Sequence, residues 1–217
     1  GYLVGHEGGT KNTLVRTPVD GKSAWQTWTS SSHVARNRGE DVFLRTDTTG
    51  RLWFAKRYSP QPGAGDAYFG RAKGNALVGT IDANGQVQVV AGDPQALYTP
   101  QTYPSLAQRP WYMDVADMAF EGGSAQVSWV LCNRVELDGA TSFVRFHPEL
   151  VRIDAQGSQR FALSLAIDPR LPEFYQEPFK QICVLSGPTG AVFLSSACGV
   201  YRWTQAKGLE LLAGQNE

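Results

Sequence analysis

The stretch LVGTIDANGQVQVVAG, Leu77 to Gly92, decides the fold. Two runs rich in Leu, Ile and Val flank Asp82-Ala83-Asn84-Gly85. In such a turn the aspartate carboxylate can accept bonds from backbone N–H groups two residues on, and glycine supplies a positive φ. The stretch therefore predicts an antiparallel hairpin. It returns as ELVRIDAQGSQRFALS (Glu149 to Ser164), NTLVRTPVDGKSAWQTW (Asn12 to Trp28) and GVYRWTQAKGLELLAG (Gly199 to Gly214). Aligned on Gly21, Gly85, Gly157 and Gly208, the copies place Leu14-Val15, Leu77-Val78, Leu150-Val151 and Val200-Tyr201 in the first strand before the glycine. Asp20, Asp82 and Asp154 precede the glycine in three of the four.

A second hairpin precedes three of these. DVFLRTDTTGRLWFAKR (Asp41 to Arg57), MAFEGGSAQVSWVL (Met118 to Leu131) and QICVLSGPTGAVFLSS (Gln181 to Ser196) each carry two β-rich runs about a Gly-containing turn. Four antiparallel strands per repeat is the blade of a β-propeller, so the fold class expected is all-β, a propeller of four-stranded antiparallel blades. Residues 1–217 then hold about four blades: 1–28, incomplete, followed by 41–92, 115–164 and 177–214. Trp53, Phe54, Trp129 and Phe193 fall in second strands and are expected to pack between neighbouring blades. The first blade lacks its innermost strand, because GYLVGH takes the second-strand position, and no spare β-run follows LLAGQNE. The chain is expected to be part of a larger propeller, with a compact four-bladed ring as the alternative.

VGTIDANGQVQVVAG and YRWTQAKGLELLAG resemble the second half of an NHL-type propeller repeat, in which the final strand closes on Ala-Gly. The resemblance covers Ala91-Gly92 and Ala213-Gly214, weakens at Ala162-Leu163-Ser164 and fails at Trp25 to Trp28. The six-bladed gluconolactonase-like and strictosidine-synthase-like enzymes carry similar blades. What the NHL resemblance implies is a recognition module.

Connection lengths sort by face. In a four-stranded meander the strand 1–2 and 3–4 turns lie at one end and all other connections at the opposite end. The first group is tight: TDTTG, EGGSAQ, GPTG, VDGKS, DANGQ, DAQGSQ and TQAKG. The second holds the long excursions, near residues 29–40, 58–75, 93–114, 132–148 and 165–177; loops of such length are uncommon unless functional or disordered. These loops carry Tyr58, Tyr68, Phe69, Tyr98, Tyr103, Trp111, Tyr112, Phe143, Phe146, Phe174 and Tyr175 among many prolines. Aromatic side chains on proline-stiffened loops form either a pre-organised contact surface or small satellite cores under the loops. The eleven aromatics are the candidate partner-binding residues.

The remaining chemistry is sparse. The 217 residues are 42% hydrophobic and 11% aromatic, sufficient for a substantial core. Twenty basic residues balance twenty acidic ones, which argues against a nucleic-acid partner or an anionic membrane. No apolar run approaches the roughly 20 residues of a bilayer span. Cys132, Cys183 and Cys198 form no zinc-ribbon pair and read as buried thiols; a hairpin about GPTG would set Cys183 opposite a residue near Leu194 and Cys198 out of disulfide reach. His6, His33 and His147 lack metal-ligand spacing. Residues 59–76 lack the GxxxxGK[ST] pattern of a phosphate loop, and neither a GxSxG elbow nor a catalytic carboxylate pair is present. No catalytic residue, metal or cofactor is assigned. The reading is a non-catalytic binding or assembly module whose partner is a protein or further propeller blades. The alternative is a lactonase-like hydrolase with a divalent cation held near Glu40, Asp41, Asp114, Asp117 and Glu177 at the starts of first strands.

Overall fold

The computed structural model describes residues 2–6, 13–20, 22–30, 40–58, 76–96, 110–121, 128–137, 144–163, 181–184, 191–196 and 199–214. Their fifteen strands form four antiparallel meanders. The first sheet is β1 (Tyr2–His6), β2 (Thr13–Pro18) and β3 (Gln26–Ser30), in that order. The second is β4 (Glu40–Thr46), β5 (Leu52–Tyr58), β6 (Leu77–Ile81) and β7 (Val87–Ala91). The third is β8 (Val115–Phe120), β9 (Ser128–Leu137), β10 (Val144–Asp154) and β11 (Gly157–Ala162). The fourth is β12 (Gln181–Val184), β13 (Val192–Ser195), β14 (Gly199–Thr204) and β15 (Gly208–Gly214). The fold is all-β, and four-stranded meanders of this order are the blades of a propeller.

The chain divides into two compact units: Gly1–Thr46 with Gly50–Pro104, and Asp47–Thr49 with Ser105–Glu217. In the first, Leu14, Leu52, Phe54, Leu77 and Ile81 form the core, flanked by Trp28, Val42, Leu44, Val87 and Val89. Strand β6 is buried at every residue, as its unbroken LVGTI run predicts for a strand covered on both faces, whereas β7 alternates. Gly79 makes room for this packing: a Cβ there would lie 2.6 Å from the Phe54 ring and 2.5 Å from the Gln88 carbonyl. In the second unit, Trp129, Leu131, Leu150, Leu163, Ile182, Val192, Leu194 and Trp203 form the core. Trp129, Phe161 and Trp203 meet there with ring centroids 5.0–5.9 Å apart. Trp53, Phe54, Trp129 and Phe193 all stand in second strands; the first three are buried and Phe193 is half-buried.

The repeated turn chemistry is present as hydrogen bonds. Asp82 Oδ1 accepts the N–H groups of Asn84 (2.8 Å) and Gln86 (2.9 Å), and Asp154 Oδ1 accepts that of Gln156 (2.9 Å). Asp20 Oδ1 takes those of Lys22 and Ser23, while its Oδ2 takes the Ser23 hydroxyl, bonds that lower its carboxyl pKa. The fourth turn has no aspartate; Thr204 Oγ1 accepts the Lys207 N–H instead. Gly85, Gly157 and Gly208 have φ of 81°, 126° and 72° at equivalent turns; Gly21 lies outside the described residues. Three last strands also share a bulge, at Trp28 in β3, Val90 in β7 and Leu212 in β15, and β11 pairs with β10 without one.

One expectation about the strands is corrected. The segment 132–148 was expected to be loop, yet β9 continues to Leu137 and β10 begins at Val144, so Asn133–Leu137 pairs with Val144–Pro148. RVEL (Arg134 to Leu137) and VRFH (Val144 to His147) alternate apolar and polar residues, but Pro148 argues against a strand. It is tolerated because its carbonyl, which accepts Leu163 N–H at 3.0 Å, faces the β11 side, and β11 ends opposite Glu149. N–H and C=O of one strand residue point the same way, so the missing donor falls beyond the last β11 pair. The pairing of β12 with β13 sets Cys183 opposite Phe193, one residue from Leu194.

Candidate functional site

At the head of β8 the chain makes one 3-10 turn, Trp111–Met113, closed by hydrogen bonds from Met113 N–H to Pro110 and from Asp114 N–H to Trp111. Proline fixes the extended approach, and the turn brings Trp111 inside, where 8% of it is exposed. Tyr112, half-buried, meets Trp111 edge-on with ring centroids 5.8 Å apart. The Asp114 carbonyl accepts the Asn133 N–H at 2.9 Å, and the Cys132 thiol donates to the Trp111 carbonyl at 3.4 Å.

Buried charge collects at this end of the third sheet. Asp114, Asp117 and Arg134 are all under one-tenth exposed. Asp117 follows a bulge at Ala116. Its Oδ1 accepts the Met118 N–H at 2.9 Å and its Oδ2 the Ile182 N–H at 3.1 Å. The carboxylate thus ties β8 to β12, the adjacent first strands of the third and fourth sheets, and both oxygens serve backbone donors. Glu149 lies opposite Cys132 and receives two bonds, of 2.9 and 2.7 Å, from Arg160 Nη2. Burial pushes the Cys132 thiol pKa well up, helped by the negative charges of Asp114 and Glu149 and opposed by Arg160 and Arg134. A thiol so held stays protonated and is a poor nucleophile.

Of the other candidate aromatics, Tyr58 ends β5 opposite Glu40, and Phe146 stands in β10 opposite Val135. Tyr68, Phe69, Tyr98, Tyr103, Phe143, Phe174 and Tyr175 lie outside the described residues. So do His33, Cys198 and Glu177. His147 is exposed on β10 opposite Arg134, and Cys183, expected to be a buried thiol, is instead free and exposed on β12. Glu40 and Asp41 open β4. The sequence did not single out Asn133 and Arg134 because their segment reads as loop; the alternation of RVEL, Arg134 to Leu137, is the signal that places Arg134 in a strand. Among the described residues, no three His, Cys, Asp or Glu side chains gather as a metal site, and no helix is long and apolar enough to cross a membrane.

No family model matches the chain, and no curated protein is similar to it. Among solved structures, one provisionally described as a gluconolactonase is similar over 99% of this chain, at 14% identity and a TM-score of 0.49. The chain spans 61% of that structure's length.

Proposed function

We propose that the chain is a recognition module that holds a protein partner on the long connections between its strands. The asymmetry of the meanders carries this reading. Within each sheet the turns 47–51, 82–86, 155–156 and 205–207 are short and close one end of that sheet, while the strands next to the connections 59–76, 92–110 and 163–180 meet them at the sheet's opposite end. Connections of that length, rich in Tyr, Phe, Trp and Pro, suit a contact surface on a rigid frame. The NHL resemblance of the last two strands agrees with a recognition role. Tyr112, beside the buried Trp111, is the described aromatic best placed to reach a partner.

Affinity capture with paired variants tests the proposal. Tyr112→Ala should lose a partner that wild type retains, while Gln156→Lys in a tight turn should keep it. A partner lost by Gln156→Lys and kept by Tyr112→Ala would refute the choice of the long connections.

A second reading, a lactonase-like hydrolase with a bound divalent cation, is favoured by Asp114, a buried carboxylate at the head of a first strand. Asp117 does not fit that role, because both its oxygens are engaged by Met118 and Ile182. Stoichiometric Ca²⁺ or Zn²⁺ in protein prepared without chelators would favour the hydrolase over the binding module.

A further inference from the structure

We propose that Asn84-Gly85 is a modification site, a spontaneous deamidation site guarded by the docking of its turn on the first sheet. It is the one Asn-Gly pair in the chain. Glycine has no side chain to shield its nitrogen, so this pair closes most readily to a succinimide. The Gly85 nitrogen loses its proton to hydroxide and bonds to Asn84 Cγ as the Cγ–Nδ2 bond breaks, and ammonia leaves. Water then opens the ring at either carbonyl, giving aspartate or isoaspartate. Water enters, ammonia departs and nothing is oxidised.

The fold exposes the amide and restrains the nucleophile. Asn84 is exposed and Gly85 buried. The Gly85 N–H is donated to the Asp82 carbonyl at 3.0 Å, and the Asp82 carboxylate holds the N–H groups on either side, of Asn84 and Gln86. The Gly85 α-carbon lies against the Trp28 carbonyl of β3. Next to it, the Ala83 carbonyl accepts Arg16 Nη1 at 3.0 Å and Trp28 Nε1 at 3.3 Å. Ring closure moves Gly85 relative to Asn84, and that movement breaks its own hydrogen bond and its seat on Trp28. Reaction therefore passes through an undocked turn. The change is not undone, since the ammonia has left: isoaspartate lengthens the backbone by one atom between Asn84 and Gly85, and either product sets a second exposed carboxylate two residues from Asp82. The site records, irreversibly, each opening of the contact between the first two sheets that lasts long enough to react.

The test incubates the intact chain, folded or unfolded in guanidinium, at the same mildly alkaline pH and temperature, and follows Asn84 by peptide mass mapping with isoaspartate detection. Folded protein should react at least about tenfold more slowly, because local opening must come first. Trp28→Ala, checked for retained structure by hydrogen exchange, should bring the folded rate towards the unfolded one. Equal rates in folded and unfolded wild type, or no product at Asn84 in either, would overturn the proposal without recourse to a variant. A folded Trp28→Ala protein that reacts as slowly as wild type would overturn the guarding role.

Discussion

Two glycines of the first unit offer a controlled measurement of how tightly its sheets are joined. Gly50 and Gly85 occupy turns with nearly the same backbone, φ 84° and 81°, and both belong to the same compact unit. Alanine at either must adopt the left-handed conformation, at a cost of about 1–2 kcal/mol. The two sites differ in surroundings. A Cβ at Gly50 meets nothing within 4 Å, whereas at Gly85 it would press into the Trp28 carbonyl and lie 3.3 Å from the Thr29 Cβ. Backbone cannot swing aside as a long side chain can, so the turn must lift, straining the bonds from Arg16 and Trp28 to Ala83. Overpacking of this kind adds about 1–3 kcal/mol. Gly50→Ala should therefore cost about 1–2 kcal/mol and Gly85→Ala about 2–5 kcal/mol. Equilibrium denaturation gives the totals, and native-state hydrogen exchange of β3, β6 and β7 shows whether the loss is local to the joint. If the two variants agree to within about 0.5 kcal/mol, the close seating of Gly85 on β3 is wrong.

Four further outcomes follow from the second unit. Asp117→Asn retains one acceptor oxygen and sets an amide N–H against a backbone donor; the lost buried bond should cost about 1–3 kcal/mol and deprotect the Ile182 amide to exchange, and unchanged protection there would refute the clamp. Iodoacetamide at pH 8 should modify Cys183 in the folded protein and reach Cys132 only on unfolding; comparable native rates would contradict the burial of Cys132. Because the folded thiol pKa of Cys132 is raised, its contribution to stability is complete below the ordinary thiol range and is lost as pH rises above it, by up to about 1.4 kcal/mol per pH unit. That slope should be missing from Cys132→Ala. Trp111→Ala should destabilise by about 3 kcal/mol, measured by denaturation, and a near-neutral result would mean that the indole is not packed as described.

Hairpins were legible because their determinants are local. An aspartate two residues before a backbone donor and a glycine at positive φ announce the turns at Asp82 and Asp154 without reference to the rest of the chain. Substitution of Thr204 for the aspartate in the last turn was covered by the same alignment. The extension of β9 and β10 was missed because proline reads as a strand breaker unless its position relative to the neighbouring strand is known, and that position is set by where β11 stops. Bulges at Trp28, Val90 and Leu212 were likewise invisible in composition. The polar head of β8 was half legible: first-strand carboxylates drew attention to Asp114 and Asp117, but only the register reveals that Asp117 spends its oxygens on Met118 and Ile182. Buried Arg134 emerges only when its segment is recognised as strand.

The bulges have a consequence for folding kinetics. A bulge breaks the translational symmetry of a ladder, so β7 and β15 each have one register in which the extra residue is accommodated, and a chain that zips up wrongly must come apart again. Strand β11 has no such marker, and Ser158, Gln159 and Arg160 are exposed along it. A slip of two residues would preserve its inward and outward alternation. What distinguishes the native pairing is the seat of Phe161 between Trp129 and Trp203 and the grip of Arg160 on Glu149. Trp203 arrives from the fourth sheet, so the third sheet cannot fully proofread its own last strand until its neighbour has formed. Packing of Trp203 from β14 onto Phe161 therefore adds a check on the register of β11 beyond the one its own tight turn supplies.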